Sequence, residues 1–222
     1  MTGVQTCALP ILRCVDDVPY VIHAPHSFHG VNLARRELRE TNAIHIREAR
    51  DFADALNADL IIVHGGNNGT IDETMEQIRG IGDSRLILEN KPKIGLFDEI
   101  CVGWSPDEFR KHVSGDVSGV ALDFGHAACA ARSLQRDVMQ IVREFMSFRP
   151  RIFHISDSDG LSEQDQHRNL GEGSLDLVPF LEILPGDALL TIETPRRASR
   201  GLADFVDDVK YLRNLSMGGG GS

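Results

Sequence analysis

Short apolar runs of this chain end repeatedly in residue types that bind metal ions. At or next to the C-terminal ends of these runs stand, in chain order, His23, His64, Glu89, Asp123, His154 and Glu193. Three further candidates of the same types follow closely after these runs: His126, Asp165 and His167. Burying so many ionisable side chains together without cations would cost a large desolvation and repulsion energy. The pattern therefore predicts a site for several metal ions.

The predicted donors are imidazoles and carboxylates, with no thiolate among them. Such a set suits Zn²⁺, Mn²⁺ or iron, and it argues against a structural zinc site of the cysteine type. A carboxylate such as that of Glu89 could bridge two ions. Clustered divalent ions favour phosphoryl chemistry, because they activate a water molecule and stabilise both the attacking and the leaving oxygen.

Alternating strands and helices must position these side chains. Apolar runs predict strands over 20–23, 60–64, 86–89, 119–123, 151–155 and 189–193. Helical spacing predicts helices over 35–57, 71–79, 105–113, 135–148, 177–184 and 202–215, and Ser105, Pro106 and Glu108 form a capping box at the start of the third. This alternation implies parallel strands. The predicted fold class is α/β, a TIM (β/α)8-type barrel that is incomplete, with six parallel strands present.

Both ends of the chain read as foreign to this fold. Residues 1–11 (MTGVQTCALPI) resemble the translation of a sequencing adaptor, and residues 218–222 (GGGGS) resemble a flexible linker. We expect a single domain over 12–217 that is truncated at its N-terminus, because a full barrel needs eight strands and roughly 250 residues.

Composition limits the classes of function only mildly. The formal net charge of −10 argues weakly against nucleic acid as a partner, although three divalent cations would reduce it to about −4. Four cysteines without a CxxC pair predict reduced thiols in a cytoplasmic protein. No apolar run approaches the roughly 18 residues that a membrane span needs, so no membrane partner is expected.

Seven short motifs, spread over 18–195, resemble the endonuclease IV family in order and spacing. They are His23-Ala-Pro, His64-Gly-Gly, Glu89-Asn90, Asp123-Phe-Gly-His126, His154-Ile-Ser-Asp157, Asp165-Gln-His167 with Gly171-Glu-Gly173, and Glu193-Thr-Pro. The wider xylose isomerase-like barrels usually show fewer ligands. The resemblance implies an enzyme with about three zinc ions, or Mn²⁺ in their place, that cuts DNA 5′ to an apurinic/apyrimidinic site.

The resemblance also implies how the first ion is bound. Glu89 would bridge two ions, and His23 and His64 would complete the first of them. His26 is an alternative to His23, because it lies six residues before Asn32, a spacing that some family members show for their first ligand. We favour His23, since it stands at the end of the apolar strand.

The remaining candidates divide between two further ions in the same way. The second ion would be held by Asp123, His154 and Glu193. Glu193 would also orient the attacking water, so Glu193, Glu89 and Asp123 are the catalytic candidates. The third ion would be held by His126, Asp165 and His167.

Two departures from the family pattern affect the expected substrate. Asp159 stands where the family has a lysine, and Gln166 where it has an arginine. Both changes remove positive charge near the place of a DNA phosphate. Two alternatives to abasic DNA cleavage therefore stay open: a metal-dependent isomerase or epimerase acting on a small sugar or sugar phosphate, and an inactive truncated fragment.

Overall fold

Six parallel strands form one sheet in the computed structural model, which describes residues 19–112 and 119–218. The strands are β1 (Ile22–His23), β2 (Ile61–His64), β3 (Leu86–Glu89), β4 (Val120–Asp123), β5 (Ile152–Ile155) and β6 (Leu190–Ile192). They pair in chain order, so each crossover places the next strand beside the last. This confirms the predicted incomplete barrel of six parallel strands. Residues 1–11 and 219–222 lie outside the described residues.

Helices fill the crossovers between these strands, and one more helix follows the last strand. They are α1 (Arg39–Leu56), α2 (Ile71–Ile81), α3 (Pro106–His112), α4 (Phe124–Leu134), α5 (Val138–Met146), α6 (Val178–Glu182) and α7 (Ala203–Gly218). The predicted capping box begins α3: the Glu108 N–H donates to Ser105 Oγ, and the Ser105 N–H donates to a Glu108 carboxylate oxygen, both at 3.3 Å. Among the described residues, no helix is both long and apolar enough to cross a membrane.

Helix α4 is the one helix of this set that the sequence analysis does not predict. It begins directly at the end of β4, where the Asp123 carboxylate accepts the His126 N–H at 2.6 Å and so caps the first turn. No turn residues separate the strand from the helix, and Gly125 lies in the first turn of α4. The start of this helix is therefore not apparent from the sequence. The predicted helix over 135–148 is consequently shorter, as α5.

Alternate residues of each strand face opposite sides of the sheet. One set, including Ile61, Val63 and Leu88, packs against the helices in the main core. The other set forms a separate inner cluster made of Leu60, Ile62, Ile87, Ala121 and Ile152. On each of these strands, the residue that follows the last member of the cluster on this inner face is a candidate donor. For example, His64 follows Ile62 by two positions, and Glu89 follows Ile87 by two positions. The inner apolar layer is therefore the floor beneath the candidate site.

The register of the sheet shifts by two residues at every second pairing. His64 pairs with Glu89, and Asp123 pairs with His154, so these neighbours lie level. Glu89 pairs with Ala121 instead, which places Asp123 one inner position further along. Such stagger is how parallel strands tilt and close around an axis. At the shifted pairings, the metal-ligand residues of neighbouring strands therefore lie about two residues apart along the strand direction.

Candidate metal centre

The carboxyl-terminal edge of the sheet gathers all nine predicted donors. Six stand at the ends of strands or just beyond, and the other three stand in α4 and in the segment after β5. Their donor atoms form three groups, each with atoms within 4.8 Å of one another: His23, His64 and Glu89; Glu89, Asp123, His154 and Glu193; and Asp123, His126 and His167. Glu89 belongs to two of these groups, and so does Asp123.

The first group centres on the fully buried carboxylate of Glu89. His23 Nε2 lies 3.2 Å and His64 Nε2 lies 3.1 Å from Glu89 Oε2. His26 stands outside the three groups, with its ring 4.8 Å from the ring of His64. Of the two histidines that the sequence offers here, the structure therefore brings His23 to the carboxylate.

The second group joins the ends of four strands. His154 Nδ1 lies 3.0 Å from Glu193 Oε1 and 3.9 Å from Glu89 Oε2. Glu193 follows β6 directly, and its N–H donates to Ile155 O at 3.0 Å, which fixes the backbone at this point. Its side chain is 23% exposed, whereas those of Glu89 and His154 are almost fully buried, so Glu193 is the member that reaches the pocket.

The third group has Asp165 at its border. Asp165 Oδ2 lies 3.3 Å from His126 Nε2 and also contacts His167 Nε2. Although burial opposes protonation of His167, the hydrogen bond and charge of Asp165 raise the pKa of that imidazole to about 9. The three residues predicted for the third ion therefore lie together, and Asp123 adjoins them.

Backbone carbonyl groups orient three of the histidines. His23 Nδ1 lies 3.0 Å from Ala24 O, His126 Nδ1 lies 2.8 Å from Asn90 O, and His167 Nδ1 contacts Glu193 O. A carbonyl oxygen only accepts, so in each neutral ring the proton is on Nδ1 and the lone pair is on Nε2. Each of these Nε2 atoms lies against a carboxylate, that of Glu89 for His23 and that of Asp165 for His126 and His167. This orientation is the one a metal-binding imidazole needs.

The buried amide of Asn90 ties the second and third groups together. Its Nδ2 donates to Asp123 O at 3.0 Å, and its Oδ1 accepts the Asp123 N–H at 2.7 Å. Because its own carbonyl also holds His126, one residue fixes a donor on β4 and a donor on α4.

The electrostatics of the site fit cations. Among the described residues, three buried atoms in these groups make no hydrogen bond of normal geometry: Glu89 Oε1, Asp123 Oδ2 and His154 Nδ1. An imidazole lies 3.1 Å from the first of them, and a carboxylate lies 3.0 Å from the last. Burial opposes ionisation of Glu89, yet the neighbouring histidines and Lys91 hold the pKa of its carboxyl well below the usual value. Burial and the charge of Glu89 raise the pKa of Glu193. Bound metal ions would give partners to closely spaced ligand atoms of this kind, which lack normal hydrogen bonds.

Sequence reasoning missed Lys91, which reaches into the third group. Its Nζ lies 3.2 Å from His126 Nε2 and 4.0 Å from Glu89 Oε1, and its side chain is 15% exposed. The available signal was its position two residues after Glu89, which continues the inner-face alternation beyond the end of β3.

Asp157 has a different role from the donors. Its carboxylate accepts the N–H groups of Ser158, Gly171, Gly173 and Leu175 at 2.8–3.2 Å. It therefore anchors the Gly171-Glu-Gly173 segment to the end of β5. This anchoring explains why a buried acid stands three residues after His154 without joining the groups.

A pocket of about 360 Å³ opens onto the donors. The segment after β3 forms part of its wall, including Lys91, Ile94 and Leu96. Phe28 also lines the pocket and makes an edge-to-face contact with Phe97, with ring centroids 5.8 Å apart. Both rings are more than half exposed. The pocket thus combines a polar floor of donors with an apolar mouth.

A family model for xylose isomerase-like TIM barrels matches residues 15–215. The chain belongs to the xylose isomerase-like TIM barrel family. An uncharacterised relative from Methanocaldococcus jannaschii is 25% identical over 225 residues, covering 91% of this chain and 71% of the relative. A probable endonuclease 4 from Thermoplasma volcanium is 25% identical over 209 residues, covering 85% and 71%. The second relative agrees with the resemblance to endonuclease IV.

A solved structure of a D-tagatose 3-epimerase-like protein superposes on this chain with a TM-score of 0.74. The superposition covers 96% of this chain and 83% of that protein, at 21% sequence identity. A likeness at this identity concerns the fold alone. The family membership therefore establishes the barrel, and the activity has to be argued from the site.

Proposed function

We propose that this protein is a zinc-dependent phosphodiesterase of the endonuclease IV type that cleaves DNA at apurinic/apyrimidinic sites. The observation that supports it most is the sharing of Glu89 and Asp123 between adjoining donor groups. Shared carboxylates favour ions only a few ångströms apart, which is the arrangement that phosphoryl transfer uses. The relative described as a probable endonuclease 4 adds support from sequence.

The proposed ligands follow the first two groups, and the third set adds Asp165, which contacts His126 and His167. His23, His64 and Glu89 would hold the first ion. Glu89, Asp123, His154 and Glu193 would hold the second. His126, Asp165 and His167 would hold the third, beside Asp123. When bound, the ions would supply an activated water and positive charge for the phosphoryl oxygens; zinc suits the imidazole and carboxylate donors, and Mn²⁺ is the second choice.

Glu193 is the residue we propose as the acceptor of the water's proton. It is the most exposed carboxylate of the second group, it lines the pocket, and burial and neighbouring charge raise its pKa. A raised pKa suits a general base near neutral pH. Glu89 and Asp123 are fully buried, so their proposed role is to fix the geometry on which the reaction depends.

The decisive experiment is a nicking assay on a duplex with one abasic site, using zinc-loaded protein. We expect strand cleavage 5′ to the abasic site, none on the undamaged duplex, and a loss of about 100-fold or more for Glu193→Gln. Glu182→Gln is the matched control, because Glu182 is an exposed glutamate of α6. Protein that carries its full zinc content and leaves the abasic strand intact would contradict the proposal.

A second candidate is a sugar isomerase or epimerase using one or two of the ions. The volume of the pocket, about 360 Å³, and the lysine within it favour a small polar substrate. The net charge of −10 also favours a sugar over DNA. Incubation of the Mn²⁺- or Zn²⁺-loaded protein with ketohexoses and their phosphates, followed by NMR, would detect inversion at carbon; unchanged spectra remove this candidate.

The free, buried thiols of Cys101 and Cys129 are consistent with a reducing compartment. We accordingly propose a cytoplasmic location. Thiol titration of protein isolated under alkylating conditions tests this part, and a disulfide involving either cysteine would contradict it.

A further inference from the structure

Lys91 is a cation already built into the third donor group. Its Nζ lies 3.2 Å from His126 Nε2, and only 15% of its side chain is exposed. Its backbone N–H donates to Gly103 O at 2.9 Å, so the segment that carries it is fixed. A lysine free to stay in solvent would extend its ammonium group into water, whereas this one directs it to an imidazole.

The lone pair of His126 has room for one partner. The Nδ1 of this ring faces Asn90 O, which leaves Nε2 as the accepting atom. In the neutral ring, Nε2 can accept an N–H of Lys91, whose Nζ lies 3.2 Å away, and Asp165 Oδ2 lies 3.3 Å from the same nitrogen. An ion held by His126, Asp165 and His167 would need the same electron pair. Binding of a third ion therefore requires that the ammonium group of Lys91 leave Nε2.

Charge acts in the same direction. The ammonium group carries a positive charge within hydrogen-bond distance of a proposed ligand, and it lies 4.0 Å from Glu89 Oε1. A divalent ion at the third group would be repelled by it in a partly buried site, where screening by water is weak. In the first group, His23 and His64 direct Nε2 to Glu89 Oε2, whereas Lys91 lies 4.0 Å from the other oxygen of that carboxylate, so it competes there for no imidazole lone pair.

We propose that Lys91 and the third metal ion compete for the same position, so that this protein binds metal in two stages. Two ions enter the groups that share Glu89. The third enters only as Lys91 swings away from His126 into the pocket that it lines. The inference rests on the metal part of the proposed function and is independent of the substrate.

Zinc titration of the metal-free full-length chain tests this competition. Calorimetry gives the stepwise affinities, and elemental analysis after gel filtration gives the stoichiometry. For the wild type we expect two tight ions and a third that binds at least tenfold more weakly. Lys91→Met removes the competing charge and keeps an unbranched side chain; its third ion should bind at least tenfold more tightly than in the wild type, or about 1.4 kcal/mol.

Lys93→Met is the matched control. Lys93 lies two residues further along the same segment, with its Nζ 5.1 Å from the centre of the Trp104 ring. Its three affinities should equal those of the wild type. Lys91→Arg, which keeps the charge, should keep the weak third site, and circular dichroism checks that each variant is folded.

An unchanged third affinity in folded Lys91→Met protein would overturn the inference, as would an equal gain in Lys93→Met. Because the titration contains no DNA, its result is separate from the nicking assay. If the protein fails to cleave abasic DNA, the competition between Lys91 and the third ion is unaffected. If the protein cleaves abasic DNA but its Lys91→Met variant binds zinc like the wild type, only the competition is overturned.

Discussion

At the scale of single residues, Glu89 is the side chain on which most of the site depends. It is fully buried, it contacts His23 and His64 through Oε2, and its Oε1 lies 3.1 Å from His126 Nδ1. Its carboxylate is a member of two donor groups. A change at this position therefore affects more than one proposed ion.

Glu89→Gln should remove at least two ions from the proposed three. The amide keeps the shape but loses the negative charge that attracts cations to both groups. Elemental analysis of protein purified without a chelator measures the metal content, with Glu182→Gln as the control that keeps all ions. Full metal content in folded Glu89→Gln protein would contradict the bridging role.

Several residues could be predicted because the local sequence carried their signal. His23, His64, Glu89 and Asp123 each end an apolar run, and the alternation of the strand assigns them to one face. The contacts of Asp157 could not be predicted in this way, because it accepts hydrogen bonds from residues up to 18 positions away. Such contacts depend on how the chain folds back, which no local pattern records.

At the scale of elements, the loop between β5 and α6 is sensitive to side-chain volume. The Asp157 carboxylate holds this loop through backbone N–H groups. A Cβ atom added at Gly173 would lie 2.2 Å from Asp157 Oδ1 and 2.2 Å from Ser158 O. The loop has no space for that atom unless the anchor moves.

Gly173→Ala should lower the free energy of unfolding by about 1–3 kcal/mol through this overlap. Gly80→Ala is the matched control, because a Cβ atom there meets nothing within 4 Å and the residue lies inside α2. That control should stabilise the protein by about 0.5–1 kcal/mol. Denaturant unfolding of both variants measures the difference, and equal effects would show that the loop tolerates the methyl group.

A second element-scale feature is the start of α7, where Asp204 caps a turn rich in arginine. The side chain of Arg197 donates to it, the Arg197 N–H adds a bond at 2.8 Å, and Arg200 donates at 2.8 Å. The hydrogen bond from the Arg197 guanidinium lowers the pKa of Asp204 to about 2. Because the folded-state pKa lies below the unfolded value of 3.8, ionisation stabilises the fold at higher pH.

Asp204→Asn should therefore lower the melting temperature at pH 7, and its difference from the wild type should shrink as the pH falls from about 4 to about 2. Thermal unfolding followed by circular dichroism at a series of pH values measures this. Asp187→Asn, at an exposed site, should match the wild type throughout. A difference that stays constant down to pH 2 would exclude the ionised carboxylate as its source.

The junction between β4 and α4 explains why this helix was not predicted from the sequence. Helix α4 shares Asp123 with the site, since the carboxylate that ends β4 also caps the helix. The sequence marks a boundary by its turn residues, and this junction has none. The other strand and helix positions were predictable, with ends that differ by a few residues, because apolar spacing persists along each element.

At the scale of the whole molecule, charge distinguishes DNA from a sugar as the substrate. The chain carries a net charge of −10, and most arginines near the end of β6 are paired with acids. Under the proposed function, three zinc ions would supply much of the positive charge that meets the DNA backbone. The affinity for DNA should then depend on both metal and salt.

Binding of an abasic duplex by zinc-loaded Glu193→Gln protein should weaken by about tenfold or more between roughly 50 and 200 mM salt, because counterions are released from the phosphates. Fluorescence anisotropy measures the affinity without cleavage. An undamaged duplex is the control for specificity. Affinity that does not change with salt would contradict DNA as the substrate and favour the sugar candidate.

The origin of the donors in six separate strands has a consequence for how the chain is assembled. The partners of the first proposed ion come from three strands and those of the second from the ends of four, so two adjacent strands alone offer only part of either set. The native state gains the full binding energy of the ions, and a partly folded chain gains little of it. Under the proposed function, metal binding therefore stabilises the chain fully only when the strands are correctly ordered in the sheet.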